Sequence, residues 1–301
     1  MKNKSFPPLP LEEWEPTKKT LHLYAQIVGK VRMELMPKQN HWWHVPLYVD
    51  TRGLTTDSIP INDRRFEITF NFVDHRLSVV TSEGTQENFV LKDGLSVASF
   101  YKQLFTLLDT LNIDVNILAK PYDNESTTPF AEDNEHHSYD RKYIERYWQI
   151  LRQTDHILKE FGSTFCGKVC PVQLYWHSFD LAVTRFSGRR GPDMSEASQV
   201  EREAYSHEVI SFGFWPGDQD VRDPAFYSYT YPAPKGIDQE PLQPEEAQWI
   251  KQNGSPMALL MYDDVRKTVD PKQTLINFLE SAYQAGVKTA GWDEENLRQQ
   301  V

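Results

Sequence analysis

The residues best able to carry chemistry lie in the second half of the chain, at His207 and Glu208. A histidine beside a carboxylate can serve as a general acid and base or bind a metal ion. Neighbouring residues of a β-strand point to opposite faces, which argues against both side chains acting on one atom. His207 and Glu208 are therefore weak catalytic candidates. His207 and the nearby Tyr205 are also candidate ligand contacts.

A basic loop, Ser187-Gly-Arg-Arg-Gly191, is the second candidate. Glycines let backbone N–H groups converge, and an arginine can bind a carboxylate or a phosphate through two parallel hydrogen bonds. The loop lacks the Lys-Ser/Thr ending and the strand–helix setting of a P-loop, which argues against nucleotide binding. Arg189 and Arg190 are candidate contacts for a small anion. The alternative is a solvated loop whose arginines pair with nearby acidic side chains.

Two residue pairs occur twice in the chain. Trp43-His44 precedes Thr51-Arg52, and Trp176-His177 precedes Thr184-Arg185 at the same spacing. If each segment is one straight strand, His44 and Arg52 lie roughly 26 Å apart, too far to share a small-molecule site. The apolar face also differs between the two segments, so the strands are covered on both sides or one contains a bulge. We interpret the pairs mainly as a folding signature and keep these residues as ligand candidates: Trp43, His44, Arg52, Trp176, His177 and Arg185.

Metal-ligand patterns are weak in this sequence. Cys166 and Cys170 are four residues apart, but a zinc site needs two further ligands nearby, and two small buried thiols are the simpler interpretation. His41 and His44 would chelate one ion only in a turn. Neither a His-Glu-x-x-His motif nor a Gly-x-Ser-x-Gly nucleophile elbow is present. The sequence predicts no metal site and identifies no cofactor.

The elements that position these residues form an internal repeat. Gly29-Lys30-Val31 and Gly167-Lys168-Val169 precede the repeated pairs. Apolar spacing predicts helices before and after them, and period-two alternation predicts strands between. The matched segments are helices 17–27 and 140–161, strands 66–72 and 208–214, strands 77–81 and 226–230, and helices 97–111 and 271–285. We predict an α+β fold: a tandem duplication of a mostly antiparallel sheet with helices on one face, its halves related by a pseudo-twofold axis.

A polar segment separates the two halves. Residues 121–141 are rich in Asn, Asp, Glu, Ser, Thr and Pro, a composition typical of linkers. We expect a first repeat over 1–120, a linker over 121–141, and a second repeat over 142–301 with longer loop insertions. The aromatic-rich segments 212–217 and 226–231 suit either a strand core or the wall of a ligand pocket.

The overall composition limits the possible partners. The chain has 301 residues, 39% of them hydrophobic, and a formal net charge of −11. This charge argues against binding to nucleic acid phosphates or anionic membranes. No segment approaches the roughly 18 apolar residues of a membrane span, and the N-terminus lacks the apolar core of a signal peptide. We expect a cytoplasmic protein; the sequence does not indicate its oligomeric state.

Five stretches resemble a bacterial family known only as a domain of unknown function, number 5996. They cover most of the chain: Asn40-His-Trp-Trp-His-Val45, Thr51-Arg-Gly-Leu-Thr55, Ser178-Phe-Asp-Leu-Ala-Val-Thr-Arg-Phe-Ser-Gly-Arg-Arg190, Glu203-Ala-Tyr-Ser-His-Glu208 and Gly213-Phe-Trp-Pro-Gly217. The resemblance implies a soluble bacterial protein. It supplies no catalytic residues, because the family has no assigned activity.

Three functional hypotheses follow from these residues. The first is a small-molecule binding protein whose cleft between the repeats takes an anionic, partly aromatic or apolar ligand, with Arg, His and Trp side chains lining it. The second is a hydrolase-like or metal-assisted enzyme that uses His207 and Glu208. The third is a structural or partner-binding module without catalysis, which predicts a large exposed apolar patch.

Overall fold

The computed structural model describes residues 6–298, which form two antiparallel β-sheets with helices packed against them. The first sheet contains β1 (Tyr48–Val49), β2 (Gly53–Thr55), β3 (Ile59–Ile61), β4 (Arg64–Asn71), β5 (Arg76–Thr81) and β6 (Gln86–Val90). The second contains β7 (Gln173–Tyr175), β8 (Asp180–Arg190), β9 (His207–Trp215), β10 (Ala225–Tyr231), β11 (Gln248–Gln252) and β12 (Ser255–Met261). The helices of the described part are α1 (Leu11–Leu35), α2 (Val97–Thr110), α3 (Arg141–Ser163), α4 (Gln199–Ala204), α5 (Tyr262–Arg266), α6 (Pro271–Ala290) and α7 (Glu294–Leu297). The predicted α+β class is confirmed.

Both sheets have a simple neighbour order. The first runs β1-β2-β4-β5-β6, with β3 also paired to β4, and the second runs β7-β8-β9-β10-β12-β11. A long helix precedes each sheet and another follows it, as predicted. The Asp140 and Asp270 carboxylates accept hydrogen bonds from the first turns of α3 and α6, which explains where these helices begin.

Helix α1 is the central element of the fold. It is buried along most of its length, including the polar side chains of Lys18, Gln26 and Arg32. Each of these binds backbone of a different segment: Lys18 donates to the Gly217 carbonyl, Gln26 exchanges two hydrogen bonds with the Tyr122 backbone, and Arg32 donates to the Thr56 carbonyl. Polar groups this deeply buried are stable only when they are paired. Helix α1 therefore holds loops of both halves in place.

The repeated sequence motifs do not lie at equivalent places in the fold. Gly29-Lys30-Val31 lies inside α1, whereas Gly167-Lys168-Val169 lies between α3 and β7. Residues 43–52 are not one strand, as the spacing argument assumed, because they run from a 3-10 turn through the two-residue β1. In the second half, 176–179 form a turn and β8 begins at Asp180. Strand β8 is buried on both faces over 180–186, and its pairing with β9 shifts register between Phe186 and Arg190.

The two halves meet edge to edge. Leu47 and Leu174 exchange backbone hydrogen bonds of 2.9 and 2.7 Å, which joins the first sheet to the second next to β1 and β7. The Trp176 indole Nε1 donates to the Val45 carbonyl at 2.9 Å. Its ring lies against Gly29 of α1, where an added Cβ would come within 2.2 Å of it. We call these contacts the seam.

The structure refines three further predictions made from the sequence. The second half was expected to carry longer loop insertions, but its segment 232–256 contains β11 and the first residues of β12. Cys170 is buried as expected, but Cys166 is exposed. Phe212, Phe214 and Phe226 belong to the hydrophobic core, so this part of the aromatic-rich segments serves core packing.

Candidate anion-binding site

The site begins at a tight turn of the first half. The 3-10 turn Asn40–Trp42 contains two consecutive non-glycine residues with positive φ, His41 at 55° and Trp42 at 60°. Such left-handed backbone is strained for ordinary side chains and persists only where surrounding contacts hold it. Here the His41 side chain is buried against the second half, 5% exposed.

Both ring nitrogens of His41 are engaged. Nδ1 lies 3.1 Å from the Ala204 carbonyl at the end of α4, and Nε2 lies 2.7 Å from the Lys168 ammonium. A carbonyl can only accept, so Nδ1 carries the proton, and Nε2 accepts from Lys168. Burial lowers the pKa of His41, which favours this neutral ring. The imidazole thus fixes the position of a surface ammonium.

A second histidine lies beside the first. The ring centroids of His207 and His41 are 5.4 Å apart, in an edge-on arrangement. His207 begins β9 and pairs across the sheet with Arg190, the last residue of β8. Burial, and after it the charges of Arg190 and Lys168, lower the pKa of His207. We call His41, Lys168, Arg190 and His207 the His41–His207 cluster.

Aromatic rings border the cluster. The Lys168 ammonium lies 5.0 Å from the Trp43 ring centroid and 5.1 Å from that of Phe186, within the range of cation–π attraction. The His41 ring contacts the same two rings. Trp43 is half-buried, so part of its surface remains open to solvent.

No carboxylate of the described residues neutralises the charges of this cluster. Lys168 and Arg190 are both exposed, and neither forms a salt bridge within residues 6–298. Two ion pairs of neighbouring segments involve other residues: Lys38 pairs with Glu203, and Arg189 pairs with Glu208. Two unpaired cations beside two histidines make a basic surface in a protein of net charge −11.

The structure separates His207 from Glu208. The Glu208 carboxylate accepts hydrogen bonds from Arg189 and from the Ser187 hydroxyl. The Arg189 guanidinium also donates to the Ala290 and Gly291 carbonyls at the end of α6. Arg189 thus caps the C-terminus of α6 and is held by Glu208. His207 and Glu208, proposed as an acid–base pair, therefore have different partners.

The repeated arginines lie in contrasting places. Arg52 is exposed and pairs with Asp74 at the edge of the first sheet. Arg185 is 1% exposed: its guanidinium lies 3.6 Å from the Phe161 ring centroid and 4.4 Å from that of Tyr283. It donates to the Phe161 carbonyl near the end of α3. In this structure neither arginine lies at the His41–His207 cluster.

The remaining candidates divide between the seam and the cluster. Trp176 forms the seam, and His177 next to it contacts Tyr122 and Tyr175. His44 is buried and its Nδ1 accepts from the Gln39 N–H. Tyr205 lies just before His207, with its hydroxyl 3.2 Å from that of Tyr229. Of the ten predicted ligand residues, the structure brings Trp43, Arg190 and His207 together, while the Tyr205 ring packs against Tyr231.

Sequence reasoning missed His41 and Lys168 as site residues. Lys168 was interpreted only as part of a repeated folding signature, and His41 only as a possible chelator. The two lysines of the repeated motif differ in burial: Lys30, the counterpart of Lys168, is buried in α1, whereas Lys168 is exposed. Sequence spacing could not reveal that contrast, because it depends on tertiary packing.

Other features of the surface lie apart from the cluster. A shallow cavity of about 250 Å³ is lined by residues of the β4–β5 turn and α3, among them Val73, Trp148 and Arg152. A smaller one of about 110 Å³ lies near Glu208 and Trp292. Within residues 6–298, three or more His, Cys, Asp or Glu side chains do not come together at metal-binding distance. No helix in the same range is both long and apolar enough to cross a bilayer.

The chain belongs to a family of unknown function (DUF5996), whose model matches residues 6–299. This agrees with the resemblance drawn from the five sequence stretches. Among curated proteins and among solved structures, none matches the chain.

Proposed function

We propose that this member of the DUF5996 family binds a small anionic molecule at the His41–His207 cluster. The observation that carries the proposal is the pair of exposed cations, Lys168 and Arg190, which lie beside two histidines and have no acidic partner among residues 6–298. Arginine and lysine at one place provide several N–H donors, and charge-assisted hydrogen bonds to an oxyanion are about twice as strong as neutral ones. The cluster is assembled from both halves, which agrees with a ligand bound where they join.

The aromatic border supports a ligand that also has a flat or apolar part. Trp43 is half-buried beside the Lys168 ammonium, and Tyr205 lies two residues before His207 in the chain. A half-buried indole can cover an apolar group while the cations hold the charge. The proposal therefore keeps Trp43, Tyr205, Arg190 and His207 as ligand residues and adds His41 and Lys168.

The test is binding of inorganic phosphate, followed through histidine NMR signals and calorimetry. We expect the His207 signals to move on titration, because the bound anion changes the electrostatic surroundings and the hydrogen bonding of its ring. Lys168→Ala and Arg190→Ala should each weaken binding about five- to tenfold, consistent with roughly 1 kcal/mol per exposed charged contact.

Lys251→Ala is the matched control, because Lys251 is an exposed lysine of β11 in the same sheet. It should leave binding unchanged. If the His207 signals do not respond to phosphate, or if Lys251→Ala weakens binding as much as Lys168→Ala, the proposal is wrong.

We also infer that the two halves arose by duplication, with repeats over 1–120 and 142–301 and a linker over 121–141. The shared order of helix, antiparallel sheet and helix supports this inference, as does the edge-to-edge pairing of Leu47 with Leu174. The unequal positions of the Gly-Lys-Val motifs count against a strict residue-by-residue equivalence.

A further inference from the structure

Resting on the proposed function, we infer that the anion carries a proton of its own, as phosphate or a singly protonated phosphate ester does. The site then discriminates against sulfate and carboxylate ligands, which have no such proton near neutral pH. The geometry behind this inference is the hydrogen-bond chain that ends at His207.

Ser206 fixes which nitrogen of His207 carries the proton. Its hydroxyl lies 3.1 Å from the Glu203 carbonyl and 3.1 Å from Nδ1 of His207. A carbonyl cannot donate, so both contacts are hydrogen bonds at the same time only when the single hydroxyl proton points to Glu203. The bond between Ser206 and His207 must therefore be donated by Nδ1–H. In the neutral ring this leaves Nε2 as a bare lone pair.

The surroundings of His207 keep that ring neutral. His207 pairs with Arg190 of β8 across the sheet, and its ring packs edge-on against His41 of the 3-10 turn. Burial, followed by the charges of Arg190 and of Lys168 in the loop before β7, lowers the pKa of His207. The neighbouring carboxylate of Glu208 is bound by Arg189 and Ser187. Nε2 of His207 has no hydrogen-bond partner among the described residues.

The cluster thus presents N–H donors together with one acceptor. One ammonium proton of Lys168 is used by His41, which leaves two, and none of the five N–H groups of Arg190 is engaged within the described part of the chain. A hydrogen phosphate ion places unprotonated oxygens on these donors and its O–H on Nε2 of His207. A sulfate oxygen at the same position would face the lone pair and repel it.

The experiment compares inorganic phosphate with sulfate by calorimetry at pH 7.5 and constant ionic strength. We expect phosphate to bind about tenfold more tightly, because it gains one hydrogen bond at a half-buried nitrogen where sulfate meets an unpaired lone pair. Equal binding of the two anions would overturn this inference and leave the proposed function intact. Binding of neither anion would overturn both.

Two variants test the positioning role of Ser206. Ser206→Ala removes the acceptor for Nδ1–H, so His207 can present Nε2–H instead; sulfate should then bind more tightly and the preference for phosphate should shrink severalfold. Ser206→Thr keeps a hydroxyl and should keep the preference. The ¹⁵N shifts of His207 in the unliganded wild type provide an independent readout, and a protonated Nε2 in the neutral ring would overturn the inference.

Discussion

Gly29 offers the sharpest test of how the two halves are joined. It lies in the buried part of α1, where alanine normally stabilises a helix by about 1 kcal/mol relative to glycine. At this position, however, an added Cβ would come within 2.2 Å of Cδ1 and 2.4 Å of Cγ of Trp176. We therefore expect Gly29→Ala to destabilise the protein, the opposite of the usual sign.

The expected loss of stability depends on how firmly the Trp176 ring is held in place. Carbon atoms pack best at about 3.5–4.0 Å, so the indole must move by more than roughly 1 Å to accept the methyl group. The ring is 4% exposed and hydrogen-bonded to the Val45 carbonyl, so such a shift strains the core and weakens that bond. Overpacking costs about 1–3 kcal/mol and the hydrogen bond about 1 kcal/mol. After subtracting the helix gain, the net loss is about 1–3 kcal/mol.

The assay is the urea-unfolding midpoint followed by circular dichroism. Gly162→Ala is the matched control, because Gly162 is also a buried helical glycine but its added Cβ would meet only Val183, at an ordinary 3.6 Å. It should be neutral or slightly stabilising. The loss from Gly29→Ala should largely disappear in a Trp176→Leu background, since a smaller side chain leaves room for the methyl group. Equal or greater stability of the single Gly29→Ala variant would refute the reasoning.

Two further predictions concern buried ionisable groups. Burial, followed by the charge of Lys18, lowers the pKa of His22 to about 4 from 6.5 in the unfolded chain, so the free energy of unfolding should fall as pH drops from 6.5 to 4. The urea midpoint of His22→Gln should therefore depend less on pH than that of the wild type. The exposed-site control His156→Gln should keep the pH dependence of the wild type. Arg185→Met leaves the Phe161 carbonyl without its donor, so it should lower the free energy of unfolding by about 1–3 kcal/mol. Arg52→Met removes only an exposed salt bridge, so its free energy of unfolding should stay close to that of the wild type. A flat profile for the wild type, or equal effects of the two arginine changes, would contradict these expectations.

The sequence predicted individual helices and strands because the signals for them come from residues close together in the chain. The alternation over 66–72 falls within β4, since one face of that strand is buried against the core. The predicted helix over 271–285 begins at Pro271 as expected, because Asp270 caps it and proline suits the first turn. Each of these signals needs only residues a few positions apart.

The burial of α1 could not be predicted in the same way. Its apolar and polar residues are mixed around the helix, so the sequence indicates no clear buried face. The helix is buried nevertheless because Lys18, Gln26 and Arg32 find backbone partners in three other segments. Those partners lie 24 to 199 residues away in the chain, so no local pattern identifies them.

The candidate site depends on the same kind of distant contact. His41 and Lys168 are 127 residues apart, and their contact requires the left-handed turn at His41. The seam holds that turn against the second half, through the Val45 carbonyl and Leu47 shortly after it. Loosening the seam with Gly29→Ala should therefore weaken anion binding and stability together. Removing Lys168 should weaken binding with a smaller loss of stability, because that ammonium is exposed, pairs with no acid in the described chain and donates to His41. This separation distinguishes residues that position the site from residues that would hold the ligand.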